Sequence, residues 1–368
     1  MKYVQTNPVP LPATGAHAEV RTTLDAVFDW EYALRRQNLL ALYEKGKAQN
    51  WNASDLDWST DVDVARVMRE RAGGAAGLMN QLLSPPRPLA PEENAAFQTH
   101  MNAFMLSQFL HGEQGALLAT AKIVETVPWA EAKFYAASQV LDEARHVEVY
   151  HRYLTEKLGL SYGVHPSLQA LLDDILRDPR WDLTFLGMQI LVEGLALAAF
   201  GLVRLQMTGE PLIQEITARI MADESRHVAF GVIALENVYE KEMDARELRE
   251  REDFVIEASH LLRERLLMQP VFERLGFDVP TWVDWAQRTP FMIGFRQMTF
   301  SKIVPNLKRL GLLTPRVREA YAKMDLLRFE NEKDSVEEPE ARPPAELVQL
   351  LMQILSASRA SAPAAAPA

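Results

Sequence analysis

Apolar residues recur every three or four positions along most of the chain, which is the spacing of helices that bury one face. The predicted helices cover about residues 24–47, 61–83, 91–127, 128–158, 182–209, 210–240 and 244–275, followed by a more broken helical region to about 327. Neither the alternating pattern of a strand nor a glycine-rich phosphate loop is recognisable. The pattern therefore predicts an all-α protein.

Changes in composition divide the chain into four parts. Residues 1–90 form an N-terminal helical extension that ends in a proline-rich linker, and residues 91–240 form a bundle of four long helices. Residues 241–328 are expected to add C-terminal helices packed on that bundle. Residues 329–368 are rich in acidic residues, proline and alanine, so we expect a linker and tail that are largely disordered.

Two short motifs of the form Asp-Glu-x-Arg-His occur inside long helical patterns, at residues 142–146 and 223–227. Residues three apart lie on the same face of a helix. Glu143 and His146 can therefore bind one metal ion, and Glu224 and His227 can do the same. A carboxylate and an imidazole at this spacing on each of two helices make up half of a di-iron carboxylate site.

Two lone acids supply the other half of such a site. Glu113 and Glu193 each stand in an apolar helical run, where an unpaired charge is costly to bury. Glu113 precedes Glu143 by 30 residues, and Glu193 precedes Glu224 by 31, so a helix hairpin is repeated within the chain. Four carboxylates and two imidazoles suit two divalent ions. The expected bridging ligands are Glu143 and Glu224, and the terminal ligands are Glu113 and Glu193.

The remaining residues of the two motifs suggest a layer behind the ligands. Metal-bound imidazoles usually donate their other N–H group to an acid. Asp142 and Asp223 are placed to accept it, each from the histidine of the opposite helix, while Arg145 and Arg226 pair with these aspartates. The alternative is an ordinary surface ion pair between residues three apart.

The residues about one turn from the ligands predict an apolar cavity for an apolar or aromatic substrate. Its expected lining is Phe109, Gly112, Ala116, Leu197 and Ile220, and ordinary core packing is the alternative for each. Tyr150 follows His146 by four residues and lies one turn along the same face. It is either a redox-active phenol beside the metals or a buried tyrosine with a hydrogen-bonded hydroxyl.

Composition excludes several other classes of protein. The 368 residues carry a formal net charge of −11, which argues against a nucleic-acid partner. The chain has no cysteine, so thiolate metal sites and a cysteine nucleophile are excluded, and a cytoplasmic protein is expected. The apolar run 183–207 is long enough for a membrane span. Polar residues within it, among them Gln189 and Arg204, favour a buried bundle helix instead.

The ligand pattern resembles the ferritin-like di-iron carboxylate superfamily, and the motifs are most similar to those of the hydroxylases of bacterial multicomponent monooxygenases. Leu197 stands where those hydroxylases have a threonine, and Ile220 stands where arylamine N-oxygenases of the same fold have a third histidine. The position of Tyr150 resembles that of the radical tyrosine in the small subunit of ribonucleotide reductase. The resemblance implies a ferritin-like four-helix bundle with additional N- and C-terminal helices.

The resemblance also implies a cofactor of two iron ions, with Mn/Fe or Mn/Mn as alternatives, and O₂ as co-substrate. It implies an enzyme that hydroxylates, N-oxygenates or desaturates an organic small molecule, with electrons from a separate ferredoxin or flavin reductase. A homodimer is a family expectation, and neither nucleic acid nor a membrane is an expected partner. The alternatives are a radical-generating oxidase that uses Tyr150 and a ferroxidase or iron-handling protein.

Overall fold

The computed structural model describes residues 18–338 except 65, 68–84 and 208, together with residue 349. Within these residues the regular structure is helical and no strand occurs, which confirms the predicted all-α class. The helices α1–α14 are, in chain order, Gln37–Ala48, Pro91–Thr126, Ala130–Arg152, Pro166–Arg177, Trp181–Phe185, Glu193–Gln206, Pro211–Leu235, Val238–Lys241, Ala245–Glu264, Gln269–Arg274, Val279–Arg288, Pro290–Thr299, Ile303–Arg309 and Pro315–Lys323.

Four long helices form the bundle, as the sequence predicted: α2, α3, α5 continued into α6, and α7. Pro91 opens α2 and Pro211 opens α7, where the missing N–H group of proline is not needed. A link of three residues joins α2 to α3, so these helices are antiparallel neighbours, and they make the most extensive helix–helix contact among the described elements. The predicted bundle of four long helices, with further helices before and after it in the chain, is confirmed.

The third bundle helix contains a π-helical segment, Leu186–Val192, between α5 and α6. A π-turn accommodates an extra residue, so it rotates every side chain that follows relative to a continuous α-helix. Helix α7 passes very close to this segment. A Cβ atom added to Gly231 would lie 2.5 Å from Cβ of Gln189, so only glycine allows this approach. The segment ends directly before Glu193.

Within the described residues one helix, Trp181–Arg204, is long and apolar enough to cross a membrane, and an 18-residue window of it has a mean hydropathy of 1.9. However, 89% of that apolar window is buried inside the protein. Phe185 packs edge-on against Phe230 of α7 with 4.9 Å between the ring centroids, and Phe200 packs against Phe109 of α2 at 4.5 Å. The apolar run is therefore the buried bundle helix that the sequence predicted.

The N-terminal extension differs from its prediction, because the helix expected over about 24–47 begins only at Gln37. Residues 18–36 have no regular secondary structure, and Phe28 and Tyr32 of the helical pattern are more than 70% exposed. The segment pairs instead with α2 and α3: Asp29 accepts a hydrogen bond from the N–H group of Ala130, and Glu131 accepts those of residues 35 and 36. These tertiary contacts outweigh the local helical pattern.

The C-terminal helices pack against the bundle. Arg251 of α9 donates two hydrogen bonds of 2.9 Å to buried Asp182 at the start of α5. Residues 330–338 were expected to belong to a free linker, but Ser335 is buried and its hydroxyl accepts a hydrogen bond from Asn306 of α13. The division into four parts stays a prediction. The helix predicted over 61–83 and the tail after 338 lie almost entirely outside the described residues.

Candidate metal centre

The structure brings the six predicted ligands together in the core of the bundle. Each is at most 5% exposed. They come from four helices: Glu113 from α2, Glu143 and His146 from α3, Glu193 from the first position of α6, and Glu224 and His227 from α7. They form two groups in which all ligand atoms lie within 4.8 Å of one another. One group is Glu113, Glu143, His146 and Glu224, and the other is Glu143, Glu193 and His227.

Glu143 and Glu224 each span the two imidazoles. Oε2 of Glu143 lies 3.4 Å from Nδ1 of His146, and its Oε1 lies 3.1 Å from Nδ1 of His227. For Glu224 the corresponding distances are 3.3 Å from Oε1 to His146 and 3.6 Å from Oε2 to His227. A carboxylate that offers one oxygen to each of two sites has the geometry of a bridging ligand. Glu113 lies beside His146, at 3.4 Å from Nδ1.

The far nitrogen of each imidazole contacts an aspartate from the opposite helix. Nε2 of His146 lies 3.1 Å from Asp223 of α7, and Nε2 of His227 lies 3.2 Å from Asp142 of α3. A proton on Nε2 can therefore be donated to the carboxylate, which leaves the lone pair of Nδ1 directed toward the glutamates. The crossed contacts that the sequence suggested are present, and the alternative of surface ion pairs does not fit these buried side chains.

The two arginines of the motifs hold these aspartates. Arg145 lies 2.5 Å from Asp142 and 3.2 Å from Asp223, and Arg226 donates a short hydrogen bond to Asp223. Each of the four side chains is at most 7% exposed. The two guanidinium groups balance the charges of the two aspartates, so this layer is close to neutral.

The segment that follows α1 closes the same layer from outside, which the sequence did not indicate. The indole N–H of Trp51 donates to Asp223 at 2.8 Å, Asn50 accepts from Arg145 at 2.8 Å, and Gln49 accepts from Arg226 at 2.8 Å. We refer to residues 49–51 as the closing segment. Its partners are more than 90 residues away in the chain, so no local spacing could have indicated them.

Gln139 is a further buried polar residue that the sequence did not single out. Its Nε2 group donates to Oε1 of Glu143 at 2.9 Å and to Oε1 of Glu193 at 3.0 Å. It therefore fixes the terminal carboxylate of the second group against a bridging one. Gln139 precedes Glu143 by one helical turn on the same face, and that spacing was the available signal.

The electrostatics of the six ligands are those of a cation site. Burial, and then the charge of Glu224, raise the pKa of Glu113 and of Glu193 well above the usual range. Burial alone would lower the pKa of His227, but the charges of Glu143 and Glu224 outweigh it and raise that pKa. These imidazoles and terminal carboxyl groups therefore bind protons more readily than usual. Metal ions that bind here must therefore displace protons.

The donor set fits two divalent ions. With the arginine–aspartate layer neutral, the four glutamates would carry four negative charges once deprotonated, which two divalent cations would balance. Several ligand atoms are also buried without a hydrogen-bond partner among the described residues, namely both carboxylate oxygens of Glu224, one oxygen each of Glu143 and Glu193, and Nδ1 of His227. Unpaired buried carboxylates are costly unless a cation compensates them.

A cavity of about 290 Å³ lies in front of the ligands. Its lining includes Glu113, Glu193 and Glu224, and of the predicted pocket residues it includes Phe109, Gly112 and Ala116. A Cβ atom added to Gly112 would meet nothing within 4 Å, so this glycine faces open space.

Leu197 and Ile220 were expected in this lining, but they are packed in the core and the prediction was wrong for both. On the third bundle helix the cavity is lined by Val192, the last residue of the π-helical segment, and by Ala196 of α6, one residue before the predicted Leu197. Ala196 and Leu197 are three and four residues after Glu193, so both lie about one turn from it, and spacing alone does not decide which of them meets the cavity.

Tyr150 is fully buried, and its hydroxyl has no hydrogen-bond partner among the described residues. The ring packs beside both Phe109 and Phe200, at centroid distances of 5.9 and 6.2 Å. Burial, and then the charge of Glu113, raise the pKa of the phenol well above its usual value. Tyr135 is also buried with an unpaired hydroxyl, and its surroundings include His227.

A family model described as "Protein of unknown function (DUF455)" matches residues 43–273, more than half of the chain. Among solved structures, an R2-like ligand-binding oxidase point mutant with an aerobically reconstituted Mn/Fe cofactor is 16% identical, with a TM-score of 0.38 over 82% of this chain and 95% of that one. An R2-like ligand-binding oxidase with a reconstituted metal cofactor after photoconversion is 14% identical, with a TM-score of 0.37 over 90% of this chain and 94% of that one.

Proposed function

The chain belongs to the DUF455 family, and from the geometry of its core we propose that it is an O₂-dependent oxidoreductase with a dinuclear metal site. The metal ligands would be Glu113, Glu143, His146, Glu193, Glu224 and His227. The cofactor would be two iron ions, or a Mn/Fe or Mn/Mn pair, because the same oxygen and nitrogen donors accept all three. The reaction would be hydroxylation, N-oxygenation or desaturation of an organic molecule.

One observation carries the proposal: Glu143 and Glu224 each offer one oxygen to each imidazole. Two ions held by shared carboxylates would supply the redox chemistry that activates O₂. The protein's own residues would position the reactants. Asp142 and Asp223 orient the imidazoles, Gln139 orients Glu193, and the apolar walls at Phe109 and Ala116 keep water away from an organic substrate.

The expected partners follow from this chemistry. An oxygenase needs electrons, and a separate ferredoxin or flavin reductase would deliver them to the acidic surface of this protein. The proposal includes a cytoplasmic location and no role for nucleic acid or a membrane, with a homodimer as the family expectation.

Metal loading followed by single-turnover oxidation tests the proposal. We expect protein loaded with Fe²⁺ or Mn²⁺ under anaerobic conditions to hold two ions per chain, measured by elemental analysis. After chemical reduction it should consume O₂. His227→Ala should lower the metal content and abolish O₂ consumption while circular dichroism still reports helices. His151→Ala, on the exposed face of α3, is the matched control. Full metal content in the His227 variant would refute the site.

A radical-generating oxidase is the second candidate, and the position of Tyr150 supports it. This unpaired phenol is buried beside Glu113, where solvent cannot quench a radical. Aerobic loading would then give a tyrosyl signal in electron paramagnetic resonance that Tyr150→Phe removes. A ferroxidase would instead turn over Fe²⁺ repeatedly and accumulate a mineral, which iron-to-protein ratios far above two per chain would reveal.

A further inference from the structure

Arg265 lines the same cavity as Glu113, Glu193 and Glu224. It begins the 3₁₀ turn Arg265–Leu267 that follows α9, and its side chain is 3% exposed. The Nε and Nη1 groups of its guanidinium have no hydrogen-bond partner among the described residues. This arginine is therefore a buried cation at the wall of the candidate substrate site.

Other buried arginines of the protein have partners. Arg251 makes two hydrogen bonds to Asp182, Arg145 and Arg226 pair with the two motif aspartates, and Arg296 donates to backbone carbonyl groups of residues 286 and 287. Burying guanidinium N–H groups without such partners is unfavourable. Burial lowers the pKa of Arg265 to about 10, so the group still carries its charge at neutral pH. A charge kept at this cost points to a ligand that pairs with it.

The rest of the cavity limits what that ligand can be. Phe109, Ala116, Val192 and Ala196 give it apolar walls, and Arg265 is the only cationic side chain among the described residues that line it. A single buried cation suits one carboxylate, whereas a phosphate would require more donors. The volume of about 290 Å³ lies at the lower end of the range for small-molecule sites, so the ligand must be small.

We propose that Arg265 is the specificity-determining residue of this cavity and that the substrate is a small organic acid. Its carboxylate would pair with the guanidinium of Arg265, while its apolar part would extend along Phe109 and Ala116 toward Glu113 and Glu193. The role of this acid as a substrate rests on the proposed function, whereas its recognition by Arg265 does not. The charge of Arg265 would thus select the class of molecule and fix which end faces the candidate metal ligands.

Calorimetric titration with matched acids and amides tests this proposal. The probes are benzoate against benzamide and hexanoate against hexanamide, each added to metal-loaded and to metal-free protein. We expect at least one acid to bind about 10- to 100-fold more tightly than its amide, which is the strength of a hydrogen-bonded charge pair. Arg265→Gln should remove this preference, Arg265→Lys should keep part of it, and Arg263→Gln, two residues away and outside the cavity lining, should leave it unchanged.

Equal affinity of the wild-type protein for acids and amides would overturn the proposal, as would a preference for acids that survives in Arg265→Gln. The comparison within the wild-type protein decides the question even if that variant does not fold. Elemental analysis of the same samples reports separately on the proposed function. Wild-type protein that binds no metal would count against the dinuclear site, while acid binding that depends on Arg265 would still be measured in the metal-free protein.

Discussion

The two halves of the centre share a motif but differ in their surroundings. The first half, with His146, groups four protein ligands: Glu113, Glu143, His146 and Glu224. The second half, with His227, groups three, and there the amide of Gln139 holds the terminal Glu193. The internal repeat therefore specifies which residue types are present, whereas neighbours outside the repeat decide how each half is built. We expect the first half to bind its ion more tightly.

The largest effect should come from a ligand that both halves share. Glu143→Ala removes one oxygen from each half, so we expect the metal content to fall from two ions per chain to less than one. Elemental analysis after anaerobic loading measures this change. Glu148→Ala, on the exposed face of the same helix, is the control and should keep both ions. A Glu143 variant that retains two ions would show that Glu143 does not bridge the halves.

The terminal ligands should separate the halves. Glu193→Ala leaves the second half with Glu143, His227 and the more distant oxygen of Glu224, 3.6 Å from Nδ1 of His227, so we expect the second ion to lose most of its affinity and the first to remain. Glu113→Ala leaves Glu143, His146 and an oxygen of Glu224 that is closer, 3.3 Å from Nδ1 of His146, so the first ion should weaken less. Competition titration with a chelator measures both affinities, and Glu125→Ala on the exposed face of α2 is the control. Equal losses in the two variants would remove the proposed asymmetry.

The aspartates should act across the centre. Asp142→Asn loosens His227, and Asp223→Asn loosens His146, because each carboxylate contacts the imidazole of the opposite helix. Losing such an outer partner typically costs about 10- to 100-fold in metal affinity. We expect Asp142→Asn to weaken the second half and Asp223→Asn the first, in the same chelator titration. The exposed Asp174→Asn serves as control. If Asp142→Asn instead weakened the first half and Asp223→Asn the second, this would contradict the contact of each aspartate with the imidazole of the opposite helix.

The smallest effect should come from the two buried phenols. Neither Tyr135 nor Tyr150 has a hydrogen-bond partner for its hydroxyl among the described residues. Replacing either with Phe removes an unpaired polar group, so we expect the free energy of unfolding to stay the same or to rise by about 1 kcal/mol. Urea denaturation measures this. A loss of stability in one variant alone would reveal a partner for that hydroxyl that the other phenol lacks.

The sequence predicted the bundle of four long helices, and the structure brings the six predicted ligands together in its core. Glu113 and Glu193 were recognisable because a lone acid in an apolar helical run is unusual, and because their spacing to Glu143 and Glu224 repeats. The helical spacing of apolar residues gave a wrong prediction where tertiary contacts determine the backbone conformation. The predicted helix over about 24–47 lost its first half because the backbone of residues 35 and 36 pairs with Glu131.

The finer features of the site were beyond periodicity for other reasons. Residues three and four positions after Glu193 both lie about one turn from it, so spacing could not show that Ala196 rather than Leu197 lines the cavity. Arg265 was missed because it lies on a different element, about forty residues beyond the last motif. Its importance depends on which polar partners it lacks, and only a three-dimensional structure reveals that.

The closing segment limits how short a fragment of the chain could be and still form the complete centre. A fragment cut from Pro91 to Leu235 would retain every residue of the six, yet Trp51, Asn50 and Gln49 would be gone and water would reach the carboxylates behind the imidazoles. The smallest autonomous unit of this centre is therefore longer than its motifs. The family match begins at residue 43, shortly before the closing segment, and therefore includes both that segment and the bundle helices.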